Sequence, residues 1–233
     1  MKKNIISGIL FCFITTISGN TAFADIPEEM PLTSASAELK SAMKKLWEDH
    51  LVYTRNYIIS DLGNLGDKSK IAERLLQNQA DIGDAIKPFY GDEAGNKLTS
   101  LLKEHIVIAT KVVDAAKNNQ KKDLAKARAD WIKNGDAIAS FLSSANPNWI
   151  KSEMKHMLGM HLELTTDEVV SRLNKNWAKD IAAYDAGHVH MFMFADELAK
   201  GIVKQFPDQF RDSTPIQVTN DTKGAQAPNY TTK

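Results

Sequence analysis

Six polar side chains recur at an almost fixed interval through a chain that otherwise reads as helix after helix. They are His50, Asn78, His105, Asn134, His161 and His188, separated by 28, 27, 29, 27 and 27 residues. Each stands within an apolar stripe of helical spacing, for example Leu39, Met43, Leu46, His50, Tyr53 and Tyr57, or Leu98, Leu101, His105, Ile108 and Val112. Antiparallel helices of equal length give such an interval when one residue of each helix lies at the same height. A helix of about 25 residues is ~37 Å long, so the layer would cross a bundle near its middle. Strand signals are missing: there is no sustained alternation and no Asn-Gly hairpin between β-branched runs. The expected fold class is all-α, an antiparallel bundle of about six helices arranged as three αα-hairpins.

The breaks between stripes fit that count. The first helix (37–62) ends at Gly63-Asn64-Leu65-Gly66-Asp67, the second (68–87) at Pro88 and Gly91, the third (93–117) at the polar run from Asn118. The fourth (123–144) ends at Ala145-Asn146-Pro147-Asn148. The fifth begins near Trp149, and two endings compete. Thr165 with Glu168 suits a capping box that would start a new helix; alternatively the helix runs to Leu173 and turns at Asn174-Lys175-Asn176. The second ending keeps His161 and His188 level, and the layer favours it. The last helix (177–205) stops at Pro207. A faint internal repeat runs alongside: Asp49-His50 and Glu104-His105 on odd helices, and Arg74-x-x-x-Asn78 and Arg172-x-x-x-Asn176 on even ones.

Four regions follow. Residues 1–24 have the form of an export signal, with Lys2 and Lys3 before an apolar run and Ala22-Phe23-Ala24 as the cleavage site. Residues 25–36 form an extended lead-in, 37–206 the bundle and 207–233 a flexible polar tail. The expected location is periplasmic or secreted. The single cysteine, Cys12, lies in the signal, so the mature chain has no disulfide, thiolate ligand or cysteine nucleophile. Without Lys2 and Lys3 the 29 basic residues fall to 27 against 29 acidic ones, a formal charge of −2. That balance gives no reason to expect nucleic acid, and no second segment is apolar enough for an integral membrane span.

What the layer does is open between three readings. Neutral imidazoles beside carboxylates suit a divalent transition metal such as Zn, Fe, Mn or Cu, and facing helices of a bundle are a usual place for one. On that reading His50, His105, His161 and His188 are ligands, Asp49, Glu104 and Asp185 are ligands or orienting groups, and Asn78, Asp81 and Asn134 support them. Of the four layer histidines only His188 has an acid three residues before it, Asp185, so no di-iron centre is expected. Met154, Met157, Met160, Met191 and Met193 near the histidines offer a softer set for copper, although methionine at helical spacing is usually core. His190 lies off the stripe and His156 on a flank. The second reading is a non-catalytic envelope protein whose His/Asn layer is purely structural and whose surface binds a partner. The third is an enzyme using an Asp/Glu–His pair. No Gly-rich phosphate loop, G-x-S-x-G elbow, H-E-x-x-H or EF-hand loop is present.

Several motifs together carry a likeness: Trp47-x-x-His50-x-x-x-Thr54-Arg55, Arg74-Leu75-Leu76-x-Asn78, Phe89-Tyr90-Gly91, Glu104-His105-Ile106, Trp131-x-x-Asn134, Ala145-Asn146-Pro147-x-Trp149, His161-Leu162-x-Leu164-Thr165 and Gly201-Ile202-x-x-Gln205-Phe206-Pro207. Across 46–207 the chain resembles a family of small, all-helical bacterial proteins without an established activity. Some members carry the labels acetylglutamate kinase or glycosyltransferase, and this sequence has no phosphate-binding element to support either. The resemblance implies the helical fold and the later end of the fifth helix, and no chemistry.

Overall fold

A computed structural model describes residues 33–211. The signal, most of the lead-in and nearly all of the tail lie outside the described residues. Those described form an all-helical bundle without strands: α1 (Ser34–Leu62), α2 (Lys68–Lys117), α3 (Lys121–Ala145), α4 (Lys151–Leu173), α5 (Trp177–Gln205) and a closing 3₁₀ turn, Pro207–Phe210. α1 starts three residues earlier than expected because Thr33 and Ser36 cap it reciprocally. α4 runs to Leu173, so Thr165 caps nothing and bonds the His161 carbonyl within the helix at 2.9 Å. Asn176 instead caps α5, accepting from the Lys179 backbone N–H.

The count is five helices, not six, because the expected second and third helices are one element. It is broken at Gly91, whose φ of 81° and ψ of 169° are open to glycine. Beyond that residue the helix folds back on itself. A Cβ on Gly83 would lie 2.6 Å from the Gly95 carbonyl oxygen, and one on Gly95 2.7 Å from that of Gly83.

α1 packs on α2 and α5, and α3 and α4 complete a closed ring of neighbours. The core divides at the height of the polar residues. On one side lies the large cluster of Met43, Trp47, Ile82, Leu102, Ile138, Phe194 and Ile202. On the other side are Ile108, Val112, Trp131 and Leu162, then Tyr57, Ile58, Val113 and Val169. The large cluster is closed by a corner after Pro88. Phe89 stacks on Phe210 with ring centroids 5.8 Å apart, and the Tyr90 hydroxyl donates to Gln205 at 2.9 Å while accepting from Asn146 at 2.8 Å. Nearby, the Trp149 indole lies on Gly201, where a Cβ would come within 2.0 Å of its Nε1. Gly201→Ala is expected to cost about 1–3 kcal/mol, as overpacking does, measurable by urea unfolding.

Candidate functional site

Five of the six expected layer residues are buried together in the interior: His50, Asn78, His105, Asn134 and His161. The sixth is His190, not His188. His190 is 9% exposed, and its Nε2 donates to the Met157 carbonyl at 2.7 Å. His188 lies on the outer side of α5, its side chain 32% exposed and 3.5 Å from Glu48.

The correction reveals a regularity. Asn78 Nδ2 donates to the Leu46 carbonyl at 2.9 Å, and Asn134 Nδ2 to the Leu101 carbonyl at 3.1 Å. With His190 and Met157, each acceptor stands four residues before one of the layer histidines, His50, His105 and His161. The same clamp is made three times: the polar residue of one helical segment bonds the turn that carries the histidine of its neighbour.

The middle clamp has every role fixed. The Trp131 indole N–H donates to His105 Nε2 at 3.0 Å, so the ring proton is on Nδ1, which donates to Asn134 Oδ1 at 2.8 Å. His105 therefore spends both nitrogens. Trp131→Phe, which orphans His105 Nε2 in the core, is expected to cost about 1–3 kcal/mol in urea unfolding. The first clamp is looser. Gln79 Nε2 has two hydrogens and three acceptors around it: the Leu75 carbonyl at 2.8 Å, Asn78 Oδ1 at 2.9 Å and His50 Nδ1 at 3.3 Å. The two shorter contacts take the hydrogens, and Gln79 Oε1 has no partner. His161 stands between His50 and His105, with ring centroids 5.5 and 6.1 Å away, and its Nδ1 is also without a partner. A cavity of about 30 Å³ bounded by Thr54, Trp131 and Thr165 adjoins the layer.

Burial holds these imidazoles neutral. Desolvation and the neighbouring His105 bring His50 down to about 3. Desolvation brings His105 to about 4 against the bond it donates to Asn134, and His161 is lowered well below its usual value by burial and by its histidine neighbours.

No expected carboxylate bonds a layer imidazole, and only Glu104 touches the layer at all, at Asn134. Asp49 pairs with Lys45 and Arg74, and Asp81 with Arg74 and Gln77. Glu104 and Asp185 are exposed, Glu104 touching only Asn134 Nδ2 at 3.4 Å. All four are drawn outward because ionised carboxylates find cations and water at the surface. Among the described residues no three His, Cys, Asp or Glu side chains are grouped to hold one metal ion. The methionines diverge as well: Met154 and Met191 are core, while Met193 is half exposed.

Sequence reasoning missed a buried ionic cluster two turns from the layer. Arg55 Nη1 donates to Glu168 Oε1 at 2.6 Å and to Asp180 Oδ1 at 2.8 Å, and Arg172 Nη1 to Asp180 Oδ2 at 2.8 Å. The Arg55 guanidinium lies 4.7 Å from the centre of the Tyr184 ring. Burial raises the Glu168 carboxyl to about 7 despite Arg55. Of its four members the internal repeat contained Arg172 alone.

No family model, curated protein or solved structure matches this chain.

Proposed function

We propose that this chain is a non-catalytic, exported helical-bundle protein of the cell envelope, belonging with the uncharacterised all-helical bacterial proteins its motifs resemble. Its His/Asn layer is a structural brace, and its binding work is done at the surface. The observation that carries this reading is the threefold clamp, in which Asn78, Asn134 and His190 each bond a carbonyl of the neighbouring segment. Groups that spend their hydrogen bonds on fixing register have little left for a substrate. The same clamps favour counting six helical segments, paired as three hairpins of similar length.

A specific observation favours a second reading, a buried metal site. His161 Nδ1 is buried and unpartnered, and ring centroids 5.5 Å apart, as for His50 and His161, suit two imidazoles on one ion. His50 and His161 would hold a transition ion there with water completing its shell, His105 being committed to Trp131 and His190 to Met157.

Elemental analysis of the untagged protein separates the two. The structural reading expects no stoichiometric metal after loading with Zn, Mn, Fe or Cu, and a His161→Ala variant that is merely less stable. About one ion per chain, lost in His161→Ala and retained in His188→Ala, overturns the structural reading in favour of the metal.

A further inference from the structure

Gly135 and Gly159, like Gly187 of α5, stand in helix interiors with no packing reason to be glycine. A Cβ on Gly159 would meet nothing within 4 Å, and one on Gly135 would come no closer than 3.9 Å, to Leu162. Gly83, Gly95 and Gly201 are the opposite case, each accepting a neighbour that a Cβ would strike. Glycine weakens a helix interior relative to alanine. Two on facing helices that relieve no clash leave room, and both border the same groove between α3 and α4, a cavity of about 260 Å³.

The groove has an apolar floor and charged ends. Leu158, Leu162 and the edge of Trp131 form the floor. At one end Lys155 pairs with Asp136 across the helices at 3.0 Å. Eight residues back along α3 and eight forward along α4, the antiparallel register sets Arg128 opposite Glu163. That second pair is open. Neither Arg128 nor Glu163 has an ion pair or hydrogen bond among the described residues. The two ends are ~12 Å apart along the helices, at 1.5 Å per residue.

We propose that this groove binds a small zwitterion with an apolar side chain, an amino acid of the leucine or phenylalanine kind. The ligand carboxylate meets the Arg128 guanidinium, whose planar fork suits it, and the ligand ammonium meets Glu163. The side chain lies over Gly159 against Leu158 and Leu162. The size of the groove is below the usual range of drug-sized pockets, which fits one amino acid and not a nucleotide or a sugar chain. An apolar floor with a few convergent polar groups is the usual make-up of such sites. Trp131 gives the groove a second face: it borders the groove and donates to His105, so an occupant touches the outer wall of the layer. The inference goes beyond the structural role of the layer and stands whether or not that role holds.

The test titrates the purified, untagged protein with L-leucine and L-phenylalanine, followed by tryptophan fluorescence and calorimetry. N-acetyl-L-leucinamide, with the same side chain and no charge, is the control. Saturable binding of at least one amino acid is expected, with the neutral analogue weaker by about tenfold or more, the worth of one charge-assisted hydrogen bond. Arg128→Gln and Glu163→Gln, both on the rim, should each weaken binding by a similar factor. Gly159→Leu should melt no lower than the parent and bind neither amino acid. The proposal is overturned if neither amino acid binds up to about 10 mM, a limit below which a specific small-ligand site is expected to fill. It is also overturned if the neutral analogue binds equally well, or if Arg128→Gln and Glu163→Gln leave binding unchanged. A Gly159→Leu protein that keeps parental binding overturns it too.

Discussion

Replacing Arg55 with methionine should destabilise the fold by about 3–5 kcal/mol, the usual loss when one member of a buried ionic group is removed. One guanidinium nitrogen serves Glu168 and Asp180, whose side chains are 7% and 2% exposed. Without it, Arg172 still neutralises Asp180, but Glu168 keeps no cation within bonding distance. Glu168 then lowers its own cost by taking up a proton, so the Arg55→Met penalty should shrink as pH falls from 7 to 5. The double variant Arg55→Met with Glu168→Leu should recover at least half of the loss, because it removes the stranded charge and fills the site. Urea unfolding of the three variants is the measurement. A loss under about 1 kcal/mol for Arg55→Met would mean that the cluster is solvated and behaves as a surface pair.

Mild acid should weaken the fold through the imidazole layer. A histidine whose pKa is lower in the folded than in the unfolded chain contributes fully only above its unfolded value, near 6.5. Below that, the unfolded chain gains protons that the fold refuses. With folded values of about 3 and about 4, His50 and His105 each lose roughly 2 kcal/mol between pH 7 and pH 5. His161, lowered for the same reasons, pushes in the same direction. Glu168 works against them. Its folded pKa is raised from 4.5 to about 7, so the fold holds a proton the unfolded chain does not, returning roughly 2 kcal/mol over the same range. The net expectation is a loss of at least roughly 2 kcal/mol on going from pH 7 to pH 5. Glu168→Gln should steepen it by removing the opposing contribution. Thermal and urea unfolding at pH 7, 6 and 5 check both statements; flat stability for the parent would mean that water reaches the imidazoles.

The layer was legible because its residues obey spacing, which sequence displays. His50, Asn78, His105, Asn134 and His161 stand where their intervals placed them, and the later end of α4 followed from the same argument. α5 misled because both its faces are apolar. Trp177, Ile181, Val189 and Met193 form an outward stripe, each more than half exposed, so the hydrophobic pattern cannot tell which way the helix is turned. His188 sits beside that outward stripe and His190 on the inner face. The interval alone does not separate them, since His161 to His190 is 29 residues, the same as His105 to Asn134, while the clamp on Met157 belongs to His190. The ionic cluster was illegible for a different reason. Arg55, Glu168 and Asp180 are buried only because each finds the others across α1, α4 and α5, and their separations of 113 and 125 residues carry no local signal. The break in α2 was read as the boundary of two helices. Pro88 and Gly91 gave its place but not the closeness of Gly83 to Gly95.

The aromatic corner fixes an order of events during synthesis. Phe89 is made 121 residues before Phe210, the ring that covers it, and Tyr90 115 residues before Gln205. A chain emerging from its N-terminus therefore carries this corner uncovered until α5 and the turn after it have appeared. The earlier helices can form, but the large core cluster cannot close over them. Partly made bundles with open apolar rings are the species that aggregate or bind chaperones. Residues 206–210, a small appendage by length, are thus the last stitch in the large core cluster.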